Sequence, residues 1–178
     1  VTTVTLTRRG PLAARSLGKV RAGMARDGAV VLDGLFPLPL LERLRAEVLR
    51  RHAKGELRAH GRVRDIGGRY AAVLPFTGPF LDSRLYGEAR LHAMLAVLLG
   101  ADYCLSSLET VISEPGAGRQ HQHVDGPLRF ERVVGRRREP YRGDLSDLPP
   151  YAVSLCVPLC DVDDANGAKY QIKKRSGE

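Results

Sequence analysis

The chain contains no tryptophan, and aromatic residues make up only 6% of its 178 positions. Those few do not alternate with basic residues, so the stacking platform used to hold single-stranded nucleic acid is not expected. Three cysteines are too few for a disulfide framework. Cys156 and Cys160 fall in what reads as a strand, where four residues span about 13 Å, whereas bridged Cα atoms lie within about 7 Å. The expectation is free, buried thiols in a reducing cytosol. No apolar run approaches the roughly 18 residues of a membrane span. The longest, residues 91–99, is interrupted by His92. Acidic residues are missing from the first 26 positions, which carry six basic ones with Ser and Thr. That composition is similar to a mitochondrial transit peptide. Leu17, Val20 and Met24 nevertheless give the stretch a helical apolar stripe, which favours an N-terminal helix of a cytoplasmic protein. Residues 1–14 are expected to be a flexible basic N-terminus, and this stretch shows no secretory h-region. The chain opens on Val1, which leaves the start codon undefined.

The net charge is +8, carried by 23 arginines and 5 lysines. Such a balance can signal a polyanionic partner. Here the arginines are scattered, with one dense cluster at Arg136, Arg137 and Arg138. The charge therefore reads as solvated surface, with neither a nucleic acid nor a membrane as expected partner. The length suits one domain over residues 1–178 with a real core.

Hydrophobic spacing predicts a helix over 15–26, weakened by Gly18 and Gly23, then a short buried strand at 29–32. Pro37 and Pro39 open a stronger helix to about residue 54, with Leu40, Leu41, Leu44 and Val48 on its apolar face and Gly55 closing it. Residues 55–82 read as mostly loop. A helix over 87–99 carries Leu91, Met94, Leu95 and Leu98, with Gly100 at its end. That stripe reads as core, and His92 as a surface or boundary residue. Beyond it the character turns to β: 103–113, the alternating stretch 128–132, and 151–159. A polar loop is expected over 133–150, and Asn166-Gly167 is a turn signal. Helices first and strands after predict an α+β fold with helices outside a β core.

The chemistry is concentrated in Pro115-Gly116-Ala117-Gly118-Arg119-Gln120-His121-Gln122-His123-Val124-Asp125-Gly126. Residues two apart on a strand share a face at about 6.6 Å. His123 and Asp125 can thus grip one metal ion from one side. They form two thirds of the 2-His-1-carboxylate facial triad, whose open positions let Fe(II) take up O2 and a co-substrate.

The order of parts over about residues 20–170 resembles the phytanoyl-CoA dioxygenase family. Asp27-Gly28-Ala29-Val30-Val31-Leu32-Asp33-Gly34-Leu35 is similar to its opening strand, and the amphipathic helix follows as expected. Pro115-Gly116 leads into a segment similar to its iron-binding stretch. Residues 151–161 resemble its strand ending in a Leu-x-Asp turn, and Asp164-Ala165-Asn166-Gly167-Ala168 resembles its Asn-Gly turn. The resemblance implies a double-stranded β-helix, a jelly-roll or cupin-like core, with the N-terminal helices packed outside. It implies Fe(II) as cofactor and 2-oxoglutarate as co-substrate, with His123 and Asp125 as the first two iron ligands. The expected activity is dioxygenase hydroxylation of a small-molecule substrate. Related halogenases carry a small residue in place of the carboxylate, so Asp125 favours hydroxylation.

The family's third ligand is a later histidine, followed by an arginine that clamps the far carboxylate of 2-oxoglutarate. Neither can be assigned here. No histidine follows His123, and the only arginine after Arg142 is Arg175. Three of the five lysines fall in the last ten residues. The expectation is a C-terminal truncation with the last core strands missing, and a chain of weak or no activity as it stands. His121 makes a His-x-His pair with His123, as in cupins, but Asp125 lies too close and Glu131 too far to supply their glutamate. Gln120 and His121 are therefore placed beside the ligands. A different class of function stays open: a non-catalytic fragment or pseudoenzyme with a partial jelly roll. The arginine loop also has two readings. It is either plain solvated surface or a mobile lid whose Arg136, Arg137, Arg138 and Arg142 attract an anionic substrate.

Overall fold

The computed structural model describes residues 1–6, 10–59, 64–118, 131–134, 137–140 and 151–163. Its first unit is β1 (Thr2–Thr5), α1 (Ala14–Asp27) and β2 (Val30–Asp33). β1 and β2 pair in parallel, Thr2 opposite Val30 and Thr5 opposite Asp33. Parallel neighbours need a crossover, and α1 supplies it. Helix α1 stops where Gly28 takes a left-handed conformation (φ 71°) and its N–H donates to the Met24 carbonyl at 2.9 Å. The Asp27 carboxylate accepts from the Thr2 backbone N–H at 3.0 Å and from Arg26 Nε at 2.8 Å. Within the stretch expected as a flexible N-terminus, residues 2–5 form a strand, and Val4 and Leu6 are buried.

Helix α2 (Leu38–Ala53) carries Leu40, Leu44 and Val48 at the expected spacing, all buried. A one-turn helix α3 (Glu56–Ala59) follows. Next comes a three-stranded antiparallel sheet, which corrects the expectation of a loop over 55–82. It comprises β3 (Arg64–Ile66), β4 (Arg69–Val73) and, later in the chain, β5 (Glu109–Ser113), with β4 in the middle. Ile66 pairs with Arg69 across Gly67-Gly68, whose φ values of 56° and 84° are those of a two-residue hairpin turn. A 3₁₀ turn at Gly78–Leu81, the short α4 (Ser83–Tyr86) and α5 (Ala89–Leu99) complete the connection to β5.

The core has two halves. One joins Leu40, Leu44 and Val48 of α2 to Leu57, Tyr70, Ala72, Leu74 and Phe80. The other joins Val4, Leu6, Val20 and Leu35 to Leu91 and Met94 of α5. Phe36 packs against both. Mixed helix and sheet agree with the expected α+β class, although the described strands do not form a jelly roll.

Three further expectations are corrected. Part of the supposed loop at 133–150 is an antiparallel pair, β6 (Glu131–Val134) with β7 (Arg137–Pro140). Residues 151–158 have no strand assignment, because among the described residues no neighbour pairs with them. Leu159 nevertheless packs on the core. Without a ladder to cover them, Cys156 and Cys160 are exposed, as is Cys104, rather than buried. Among the described residues, no helix is long and apolar enough to cross a membrane.

Candidate functional site

The approach to the His-x-Asp motif is well defined. Strand β5 runs along β4 with Val111 opposite Ala71 and Ser113 opposite Arg69, so it leaves the sheet beside the β3–β4 turn. Its next residue, Glu114, donates its backbone N–H to the Gly68 carbonyl at 2.9 Å. Ala117 closes a turn by donating to the Glu114 carbonyl at 3.0 Å. Gly118 then donates to the Gly67 carbonyl at 3.2 Å. Gly116 sits at φ 83°, a value that L side chains resist. The Pro115–Gly118 bend is therefore stitched to the hairpin turn by two backbone bonds and closed on itself by a third.

Its other flank is held by side chains. Arg58 of α3 donates to Glu114 Oε1 at 3.0 Å. The guanidinium carbon stands 4.3 Å from the ring centroid of Tyr70, close enough for a cation–π contact. Tyr70 is only 1% exposed. Its hydroxyl lies 2.6 Å from Nδ1 of His52, with the donor set by the imidazole tautomer. His52, Tyr70, Arg58 and Glu114 thus form a chain of contacts from the end of α2, through the sheet, to the bend.

The residues singled out from the motif lie outside the described residues: Gln120, His121, His123 and Asp125, together with Arg136 and Arg142. Arg137 and Arg138 belong to β7, opposite Val134 and Val133. Among the described residues, no group of three or more His, Cys, Asp or Glu side chains could hold a metal. His92, expected at the surface, is exposed, and contacts the Tyr103 hydroxyl and the Tyr86 carbonyl.

An open groove of about 470 Å³ lies between α2 and the 3₁₀ turn, away from the bend. Its charged walls pair with one another, Arg43 with Asp82 and Arg50 with Glu47.

The sequence pattern did not reveal Arg58, Glu114, Tyr70 or His52. The signal within reach was Gly67-Gly68, a hairpin dipeptide between Ile66 and Arg69-Tyr70. Comparison with protein-family models, with curated proteins and with solved structures returns no match.

Proposed function

We propose that the chain is an Fe(II)- and 2-oxoglutarate-dependent oxygenase domain related to the phytanoyl-CoA dioxygenases, acting on a small organic substrate. The observation that carries this is the place of His123-x-Asp125. In sequence, His123 and Asp125 come five and seven residues after Gly118, the end of a bend that leaves a β-strand and is fixed on both flanks. One imidazole and one carboxylate suit Fe(II) and leave coordination positions open. In this reading, β3, β4 and β5 belong to a jelly-roll core, the helices lie outside it, and the protein works in the cytoplasm. When bound, iron supplies the activation of O2. One oxygen atom enters a C–H bond of the substrate, and the other enters succinate as 2-oxoglutarate loses CO2. His123 and Asp125 would hold the metal. Arg136, Arg137, Arg138 and Arg142 would attract a carboxylate or phosphate on the substrate.

A second reading is a non-catalytic relative, favoured by the lack of any histidine after His123 within these 178 residues. Anaerobic titration with Fe(II) or Co(II), followed by a succinate assay, separates the two. The oxygenase reading expects one metal per chain, lost in His123→Ala and Asp125→Ala, with slow turnover. A wild-type chain that binds no more metal than these variants would overturn it. Metal binding with no succinate at all would favour the non-catalytic relative.

A further inference from the structure

We propose that the groove between α2 and the 3₁₀ turn is a binding site for a small organic anion, a carboxylate carried on a short apolar body. The inference goes beyond the oxygenase reading and does not depend on it.

Three observations carry it. The first is a surplus of donors at one end of the groove. Asp82 Oδ1 accepts from the Arg84 backbone N–H at 3.0 Å and from Arg84 Nε at 2.8 Å. Its Oδ2 accepts from Arg84 Nη2 at 2.6 Å and from Arg43 Nη2. These bonds fill the roughly four acceptor positions of a carboxylate. Two guanidinium groups therefore share one carboxylate, and one positive charge is left uncompensated. Arg43 carries it into the groove, because its Nε and Nη1 have no acceptor among the described residues. At the far end the charges balance, Arg50 and Arg51 against Glu47 and Glu56.

The second observation is the apolar middle. Leu81 lines one wall beside Pro79 and is 57% exposed, and Ala46 of α2 faces it with only a methyl group. A ligand that covers Leu81 removes apolar surface from water. The third is that the turn is anchored. Phe80 is 1% exposed and packs in the core with Leu40, Leu44 and Val48. Its N–H donates to the Thr77 carbonyl at 3.2 Å, and the Asp82 N–H donates to that of Pro79 at 3.2 Å. The groove of about 470 Å³ thus stands ready, at a size that suits a small molecule. The surplus charge disfavours a cation there, and a bare inorganic anion would leave Leu81 uncovered. One exposed guanidinium and one leucine support a dissociation constant on the order of millimolar.

The test uses octanoate as the probe, below its micellar concentration, with acetate and octylammonium as controls. Backbone amide NMR shifts of the ¹⁵N-labelled full chain report where each one binds. The variants are Arg43→Gln, Arg43→Lys and Ala46→Phe, which fills the groove without touching a charge. Octanoate should produce saturable shifts at the amides of Ala46, Gly78 and Leu81. Acetate should bind about tenfold more weakly or worse, and octylammonium should leave these signals unmoved. Arg43→Gln should raise the octanoate dissociation constant about fivefold or more, and Arg43→Lys should recover part of the loss. Ala46→Phe should abolish binding. Added salt should weaken octanoate binding more in the wild type than in Arg43→Gln, because the exposed charge is screened. The absence of saturable shifts at these three residues, or wild-type affinity in Arg43→Gln, would overturn the site. Acetate binding as tightly as octanoate would overturn the assignment of an apolar body. Should Arg43→Gln fail to fold, Ala46→Phe and the comparison of octanoate with octylammonium decide the matter alone.

Discussion

Some side chains in this protein join a near neighbour to a partner far away in sequence. Arg90 is the clearest case. It is 9% exposed, and its guanidinium grips both oxygens of Glu88, at 2.7 and 3.0 Å, while also donating to the Leu35 carbonyl at 2.9 Å. Glu88 accepts the Arg90 backbone N–H as well, capping α5. The Arg90 guanidinium holds the Glu88 carboxyl below its ordinary range. Removing the guanidinium leaves a part-buried carboxylate and a carbonyl without this donor. Arg90→Met should therefore cost about 2–3 kcal/mol of unfolding free energy. Arg90→Lys should restore only part, because an ammonium cannot make the fork. Urea denaturation reads this, and a loss under about 0.5 kcal/mol, the usual size for a surface change, would refute it. The same distance in sequence explains what was legible at the candidate site. His123 and Asp125 stand out because they are two residues apart. Arg58 and Glu114 are 56 apart, and no local pattern brings such a pair together.

At the scale of elements, the long amphipathic helices were readable, as were β2 and β5, but the short strands β1 and β3 were not. The stripes of α1, α2 and α5 repeat often enough to fix both type and extent. β3 has three residues, two of them Arg64 and Asp65, and shows no alternation of its own. It exists because the Gly67-Gly68 turn folds it onto β4. β1 is rich in threonine and follows no turn signal, so only its pairing with β2 reveals it. The opposite error occurred at 151–159, where apolar residues suggested a strand but the described neighbours offer no ladder.

Helix α1 holds a subtler lesson in its two glycines. Both look like helix weaknesses, but they are not equivalent. A Cβ on Gly23 would meet Val30 Cγ1 at 2.6 Å and Thr2 Cβ at 3.0 Å, so α1 needs a glycine there to lie against its strands. Gly18 faces open space. Gly18→Ala should stabilise by about 0.5–1 kcal/mol, the ordinary helix gain. Gly23→Ala should destabilise by about 1–3 kcal/mol despite the same gain, through overpacking against a short, stiff side chain. Thermal or urea midpoints that move in the same direction for both would contradict this account of the packing.

For the whole molecule, the excess of arginine turns carboxylates into structural anchors. Arg26 pairs with Asp27, Arg50 and Arg51 with Glu47 and Glu56, Arg43 and Arg84 with Asp82, and Arg90 with Glu88. These pairs tie α2 to α3 and to the turn before α4. The Arg50 guanidinium holds the Glu47 carboxyl down at about 2. Arg84 and Arg26 hold Asp82 and Asp27 well below the usual carboxylate range, and Arg50 lowers Glu56. A depressed folded-state value means that the unfolded chain binds protons first as the pH falls. The stabilisation is complete above the ordinary carboxylate range and drains away between about pH 5 and pH 2. Urea midpoints should therefore hold near neutrality and drop steadily across that window. Glu47→Gln should lower the midpoint at pH 7 and flatten the drop, since the variant has one anchor fewer to protonate. A wild-type midpoint unchanged from pH 6 to pH 3 would show that these ion pairs do not anchor the fold. Added salt at pH 7 should also weaken the wild type more than Glu47→Gln, because the same exposed guanidinium–carboxylate attractions are screened.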